Sequence, residues 1–258
     1  MNSVSTTILE NRQISPDFYL LAFEWFEKWG EPKIGNFLEL KVNDSSAPLL
    51  RRPLAFSNYI KEQNRAELIY QVRGESTELL SKKGIGEPVG IIAPLGNGFT
   101  KESSTKKVFA IAGGVGTGPI LFAAKEMKRA GVEVEFITGF RSKELIPDRA
   151  IFDDLKVTLC TDDGSEGFRG NVVEYLSTLP KESFSDAIIW ACGPTPMLKA
   201  LHNFGESGGV RVQVSMEEMM ACGIGACMGC VIETTDERGM ARVCKDGPIF
   251  ESGVVKWK

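Results

Sequence analysis

The sequence predicts a multidomain α+β chain. It has an antiparallel β-barrel over residues 1–100, a parallel α/β domain over 101–211 and a small Cys-rich domain over 212–258. Three observations predict it. Short apolar or alternating runs, broken by turn residues, fill the first hundred positions, as in an antiparallel barrel or sandwich. After the polar run Lys101–Lys107 the pattern changes to strands alternating with helices, which argues for a parallel sheet. The final stretch holds four of the six Cys.

The barrel rests on the runs Phe18–Phe23, Phe37–Val42 and Glu67–Val72, with turn signals at Asn43–Ser46 and Gly84–Gly86. A helix is expected to start at Thr77, behind a turn containing Gly74. In the second domain, Val108–Ala112, Val132–Ile137, Val157–Cys160 and Ala187–Ala191 read as strands, and Pro119–Arg129, Val172–Leu179 and Pro196–Phe204 as helices. The tail of about 45 residues is too short for a comfortable core, so a metal or an interface is expected to support it.

Composition excludes several function classes. The chain is 43% hydrophobic and 25% charged, as in soluble globular proteins. Its net charge of −4 argues against a nucleic-acid partner. His202 is the single His, so a zinc site with several imidazoles cannot be built. The first thirty residues carry Glu10, Arg12, Asp17, Glu24 and Glu27 and no targeting run. The uncharged stretch Val108–Ala124 contains four Gly and a Pro and reads as strand, loop and helix, not as a membrane span. A cytoplasmic protein is expected, and there short-spaced Cys point to metal or redox chemistry.

Cys222, Cys227 and Cys230 spell C-x4-C-x2-C, and Cys244 follows. This is the spacing of plant-type 2Fe-2S ferredoxin loops. Gly223, Gly225 and Gly229 let the backbone wrap closely and bring N–H groups to the sulfurs. The competing reading is a structural zinc site on the same four thiolates, although zinc usually takes two short Cys pairs. Of the other two, Cys160 reads as a buried strand residue.

Ala112-Gly113-Gly114-Val115-Gly116-Thr117-Gly118-Pro119 follows an apolar strand and opens a helix. Such a turn presents bare N–H groups and the positive helix end to a phosphate, which suggests a dinucleotide pyrophosphate site on Gly113, Gly114, Gly116, Thr117 and Gly118. The second strand ends in Arg141-Ser142-Lys143, which leaves NADH and NADPH both open. Cys192-Gly193-Pro194 lies at another strand end, where α/β sheets place ligands; the competing reading is a buried Cys beside a turn. Arg52 sits on a barrel strand, where a guanidinium can grip a diphosphate, and Gly74-Glu75-Ser76-Thr77 offers a helix start. Either can also be a plain surface feature.

Taken in order, Arg52-Pro53-Leu54, the Gly74–Thr77 turn, the Gly113–Pro119 loop and Cys192-Gly193-Pro194 resemble the ferredoxin–NAD(P)+ reductase superfamily. The tail, from Met219-Met220-Ala221-Cys222 to Cys244-Lys245-Asp246-Gly247-Pro248, narrows this to a resemblance to dihydroorotate dehydrogenase B electron-transfer subunits over essentially the whole chain. The resemblance implies an FAD-binding barrel, an NAD(P)-binding α/β domain and a 2Fe-2S domain. It implies FAD contacts at Arg52, Pro53, Leu54, Ala55, Ile69, Tyr70, Gln71, Ser76 and Thr77, and cluster ligation by Cys222, Cys227, Cys230 and Cys244. It also implies that Cys192, Gly193 and Pro194 border the nicotinamide. Two residues depart from the family pattern: Ala55 stands where a hydroxyl is common, and Ser76 where Gly is usual. Ser57 is expected on the same strand face as Ala55, too far along to replace that hydroxyl. No protein acid or base is needed, since hydride exchange rests on stacking and orientation.

The implied function is electron transfer between NAD and an FMN-containing dihydroorotate dehydrogenase catalytic subunit, in a heterotetramer serving pyrimidine biosynthesis, with no membrane or nucleic-acid partner. A diaphorase subunit of a ferredoxin or hydrogenase-type complex would share the cofactor motifs. A zinc-stabilised interaction module without redox activity is the reading from another class.

Overall fold

Residues 4–43, 47–152 and 155–258 are described in the computed structural model. The expected turn at Asn43–Ser46 therefore lies, for residues 44–46, outside the described residues.

Six strands close the N-terminal barrel: β1 (Val4–Gln13), β2 (Phe18–Glu24), β3 (Phe37–Lys41), β4 (Arg52–Ile60), β5 (Arg65–Gln71) and β6 (Pro88–Leu95). They run in the order β1-β2-β5-β4-β3-β6, every pair antiparallel. Alternation sorts the side chains of β3. Leu38 and Leu40 enter the barrel core with Leu21, Phe23 and Phe56, while Phe37 faces outward into the core of the next domain. Helix α1 (Glu75–Ser81) starts two residues before Thr77, behind Gly74. β4 shifts register between Phe56 and Asn58. Ser57, within this bulge, is buried toward the second domain, where a Cβ on Gly118 would stand 3.5 Å from its own.

The second domain comprises β7 (Lys107–Gly113), α2 (Thr117–Arg129), β8 (Glu133–Phe140), β9 (Val157–Thr161), β10 (Phe168–Arg169), α3 (Val172–Thr178), β11 (Ala187–Cys192), α4 (Thr195–Gly208) and β12 (Arg211–Ser215). The parallel strands lie in the order β10-β9-β8-β7-β11-β12. Val108, Ala110 and Ala112 of β7 pack toward α2, whereas Phe109 and Ile111 pack toward α3 and α4. The chain leaves β7 in one direction and returns at β11 on its other side. The strand ends there form a topological switch point, the usual ligand crevice of such sheets.

The tail adds β13 (Val231–Glu233), β14 (Met240–Arg242), α5 (Val243–Asp246) and β15 (Ile249–Glu251). β13 and β14 form a ribbon, and β15 joins β12 antiparallel as the seventh strand of the central sheet. The tail has no core of its own. Met216, Met220, Cys230, Ile232, Val243 and Cys244 share one cluster with Phe109 and Ile111 of the sheet and Phe37 of the barrel. β12 itself opens at Arg211, so the division expected after residue 211 runs through a strand shared by both parts. Asn97, just past β6, donates its side-chain amide to the carbonyls of Lys245 (3.3 Å) and Asp246 (3.2 Å), satisfying helix-end acceptors of α5 from the barrel side. Among the described residues no helix is long and apolar enough to cross a membrane.

Candidate functional site

Two cavities open where these parts meet. The larger, about 750 Å³, is lined by Arg52, Pro53, Leu54 and Ala55 of β4, Ile69, Tyr70 and Gln71 of β5, Ser76 and Thr77 of α1, and Cys192 at the end of β11. The tail closes its far side with Met216, Glu217, Met219 and Met220. The second, about 730 Å³, is lined by Gly113 and Gly114 of the glycine loop, Pro194, and Arg141 and Asp162 at the ends of β8 and β9. Gln71 and Arg73 line both, so the cavities adjoin.

Gly116, Thr117, Gly118 and Gly193 line neither cavity. Each makes close contacts within the fold. A Cβ on Gly116 would meet the Cys192 carbonyl oxygen at 2.1 Å, and one on Gly193 would meet Met197 Cε at 2.5 Å. Thr117 Oγ1 is buried 3.0 Å from Thr138 Oγ1. These small residues let the loop and the Cys192-Gly193 turn approach, and this leaves Gly113 and Gly114 at the cavity surface. The turn Gly114–Gly116 runs straight into α2, with no capping side chain and no acid in the first turn. Its positive end therefore has no internal counter-charge.

The larger cavity is firmly built. Tyr70 is fully buried, its hydroxyl bonded to Asn11 Oδ1 at 2.9 Å, while Asn11 donates to the carbonyls of Leu80 and Lys83 behind α1. The Thr77 hydroxyl accepts from the N–H groups of Arg73 (3.0 Å) and Gly74 (3.2 Å), fixing the turn before α1. Arg73 Nε is held by Gln71 Oε1 at 2.6 Å. At the floor, Cys192 Sγ lies 4.0 Å from Glu217 Oε1. Burial, then the Glu217 charge, pushes the Cys192 thiol up, so it stays protonated at neutral pH. Burial also raises the Glu217 carboxyl against the opposing pull of Arg73.

The four cysteines of the tail stand in two pairs. Cys227 N–H points at Cys222 Sγ (3.4 Å), and Cys244 N–H at Cys230 Sγ (3.4 Å). Among the described residues no three of His, Cys, Asp and Glu converge on a single ion position. The two pairs fit a two-iron cluster, each iron taking two sulfurs. The electrostatics also fit. Burial pushes Cys222 up, but the N–H groups of Ile224, Cys227 and Ala226 and the Cys227 side chain bring it down to about 6. Burial and the adjoining Cys230 sulfur push Cys244 up to about 12, so one member of that pair keeps a proton until a metal displaces it. Gly223 and Gly225 have φ of 66° and 84°, which the tight loop requires. Cys160 is fully buried on β9, its thiol raised to about 11 by burial, and lines neither cavity.

The site also holds residues that the motifs did not flag. Glu39 of β3 is 0% exposed, and neither carboxylate oxygen has a hydrogen-bond partner. It presses against the cysteine loop: a Cβ on Gly223 would meet its Cγ at 2.4 Å. Burial raises Glu39 to about 7 despite Arg52 and Arg51. Glu217 and Arg73 escaped notice because their neighbours come from distant segments. Strand alternation marks Glu39 as an outward position but gives no sign that the tail covers it.

Comparison with known proteins agrees with this geometry. A family model described as the iron-sulfur cluster binding domain of dihydroorotate dehydrogenase B matches residues 217–256. The chain is 36% identical over 256 residues to the dihydroorotate dehydrogenase B (NAD(+)) electron transfer subunit of Bacillus pumilus (strain SAFR-032), covering 98% of this chain and 97% of that protein. It is 38% identical over 256 residues to the protein of the same name from Lysinibacillus sphaericus (strain C3-41), covering 96% of each. Among solved structures, the NADH-dependent reduced ferredoxin-NADP oxidoreductase superposes with a TM-score of 0.82 at 25% identity, over 99% of this chain and 91% of that one. A Neisseria gonorrhoeae ferredoxin NADP+ reductase with bound FAD and NADP shares the fold, with a TM-score of 0.68 at 16% identity over 81% of this chain and 92% of that one.

Proposed function

The chain belongs to the family of dihydroorotate dehydrogenase B electron-transfer subunits, and from that premise we propose how its residues divide the work. It is an oxidoreductase subunit that moves electrons between NAD and a dihydroorotate dehydrogenase catalytic subunit. When bound, FAD exchanges electron pairs with NAD and single electrons with a 2Fe-2S cluster.

One observation carries the assignment of residues: the larger cavity is walled by the barrel strands on one side, Cys192 on another and the cysteine-bearing tail on a third. Arg52 and the α1 turn at Ser76 and Thr77 hold the FAD diphosphate. Pro53, Leu54, Ala55, Ile69, Tyr70 and Gln71 flank the rest of the flavin nucleotide. Ala55 offers no hydroxyl, so contacts to the flavin ring at that point come from backbone. Gly113, Gly114 and Pro194 border the adjoining cavity for NAD, while Gly116, Thr117, Gly118 and Gly193 keep its wall in place. Cys192, protonated and backed by Glu217, faces the nicotinamide end. Cys222 with Cys227, and Cys230 with Cys244, hold the two irons.

The partner is an FMN-containing catalytic subunit, two copies of each chain forming a heterotetramer in the cytoplasm. Met219, Ile224 and Met228 on and beside the cysteine loop are 87%, 45% and 55% exposed, and Cys227 is exposed among them. Large apolar side chains around an electron exit are what a docking face requires.

Co-expression with the candidate catalytic subunit tests this. One tight complex containing FMN, FAD and two irons per copy of this chain is expected. A colourless, zinc-containing chain that takes up neither FAD nor iron overturns the reading.

A further inference from the structure

Arg242, last residue of β14, stands between the cysteine loop and α5, which carries Cys244. Its Nε and Nη2 donate to Asp246 Oδ2 (3.0 Å) and Oδ1 (3.1 Å), a two-toothed grip, and its backbone N–H donates to Oδ2 at 2.9 Å. The remaining arm of the guanidinium, Nη1, reaches across and donates to the Gly225 carbonyl at 3.1 Å. Gly225 lies midway between Cys222 and Cys227, with φ of 84°, and a Cβ there would meet Lys245 Cβ at 2.8 Å. The loop is thus drawn tightly onto α5 at this residue.

The bond has a consequence on the far side of the peptide. In a planar trans unit C=O and N–H point in opposite directions. The Gly225 carbonyl faces Arg242, so the N–H of Ala226 faces the other way. The peptide that follows is set by the same anchor, and its N–H, on Cys227, points at Cys222 Sγ at 3.4 Å.

We propose that Arg242 is a positioning residue for the 2Fe-2S cluster: by gripping the Gly225 carbonyl it fixes the loop between Cys222 and Cys227 so that the Cys227 N–H is aimed at the Cys222 sulfur. This rests on the four cysteines holding such a cluster. Asp246 keeps the guanidinium turned so that its third arm is available to the loop. Donors to a cluster sulfur stabilise the reduced, more negative state and raise its potential. An ordinary exposed Arg–Asp pair, by contrast, contributes little and would not reach the cluster.

The test uses the full chain with its FAD and cluster in wild-type, Arg242→Gln, Arg242→Lys and Asp246→Asn forms. The readouts are the electron paramagnetic resonance spectrum, the cluster midpoint potential from redox titration, and iron release to a chelator, with FAD content and circular dichroism checking the fold. Arg242→Gln is expected to lower the midpoint potential, alter the resonance spectrum and release iron about 10-fold faster. Arg242→Lys keeps the charge without the planar fork, so it is expected to fall closer to Gln than to wild type. Asp246→Asn is expected to lie between. Full recovery of the potential by Lys overturns the proposal, since charge alone would then suffice. Unchanged spectra, potentials and iron release in all variants also overturn it while leaving the cluster assignment standing. A wild-type chain that holds no iron overturns both. Should the Gln variant fail to fold, the Lys and Asn variants decide the matter.

Discussion

The flavin cavity and the cysteine loop lie side by side, yet their backbones are held in different ways. Around the cavity, Arg52–Ala55 and Ile69–Gln71 sit on strands whose backbone groups are fixed by neighbouring strands. The loop Cys222–Cys230 belongs to no strand or helix, and its sequence supplies Gly223, Gly225 and Gly229 where strands would supply β-branched residues. Its order comes from N–H groups turned to sulfur, from Arg242, and from Glu39 and Phe37 of the barrel beneath the tail. One site is therefore shaped before its cofactor arrives, while the other is completed by its cofactor.

Cys227→Ser breaks that contrast most sharply. It is expected to abolish cluster assembly and electron delivery to the partner, a loss beyond the about 10- to 100-fold typical of an outer-shell change. FAD content stays near wild type because the barrel does not depend on the loop. Iron analysis and visible absorption check it.

On the preformed side, Arg52→Ala removes a charge-assisted contact worth about 1.5–3 kcal/mol. FAD affinity is expected to fall by roughly 10- to 100-fold, with the cluster's absorption retained. Fluorescence titration of the FAD-depleted chain measures it. Gly116→Ala probes the packing behind the second cavity. Its Cβ would collide with the Cys192 carbonyl at 2.1 Å, so a loss of about 1–3 kcal/mol in stability and a raised KM for NADH are expected. Thermal melts and steady-state reduction of a dye acceptor read the two effects.

The smallest effect falls where the two regions touch. The folded-state Glu39 carboxyl, near 7, lies above its ordinary 4.5, so between those values the folded chain holds more protons than the unfolded one. Stability associated with this group is complete below about 4.5 and declines as pH rises through about 7. Glu39→Gln is expected to flatten the fall in melting temperature across that window. Parallel wild-type and variant curves would remove Glu39 from the account of this contact.

The elements whose pattern is local were legible in the sequence. Alternation in Phe37–Val42 and the apolar run Val108–Ala112 became β3 and β7, and the C-x4-C-x2-C spacing placed three sulfurs on one loop. What was not legible depends on distant partners. The bulge at Ser57 comes from strand pairing, and the burial of Glu39 comes from a tail far along the chain. The return of β15 to β12 is a tertiary choice that three residues cannot announce. Glycines of the Gly113–Gly118 loop looked alike in sequence. The fold divides them between cavity lining and close packing, according to which strand end each one meets.

Electrons from NADH are expected to reach the cysteine-held cluster within this one chain. An anaerobic titration of the isolated chain with NADH, followed by visible absorption and low-temperature electron paramagnetic resonance, tests it most directly. Bleaching of the flavin bands together with growth of a reduced 2Fe-2S resonance, lost in Cys227→Ser, is the predicted result. Flavin bleaching in the wild type with no iron-sulfur resonance at any level of NADH would contradict it.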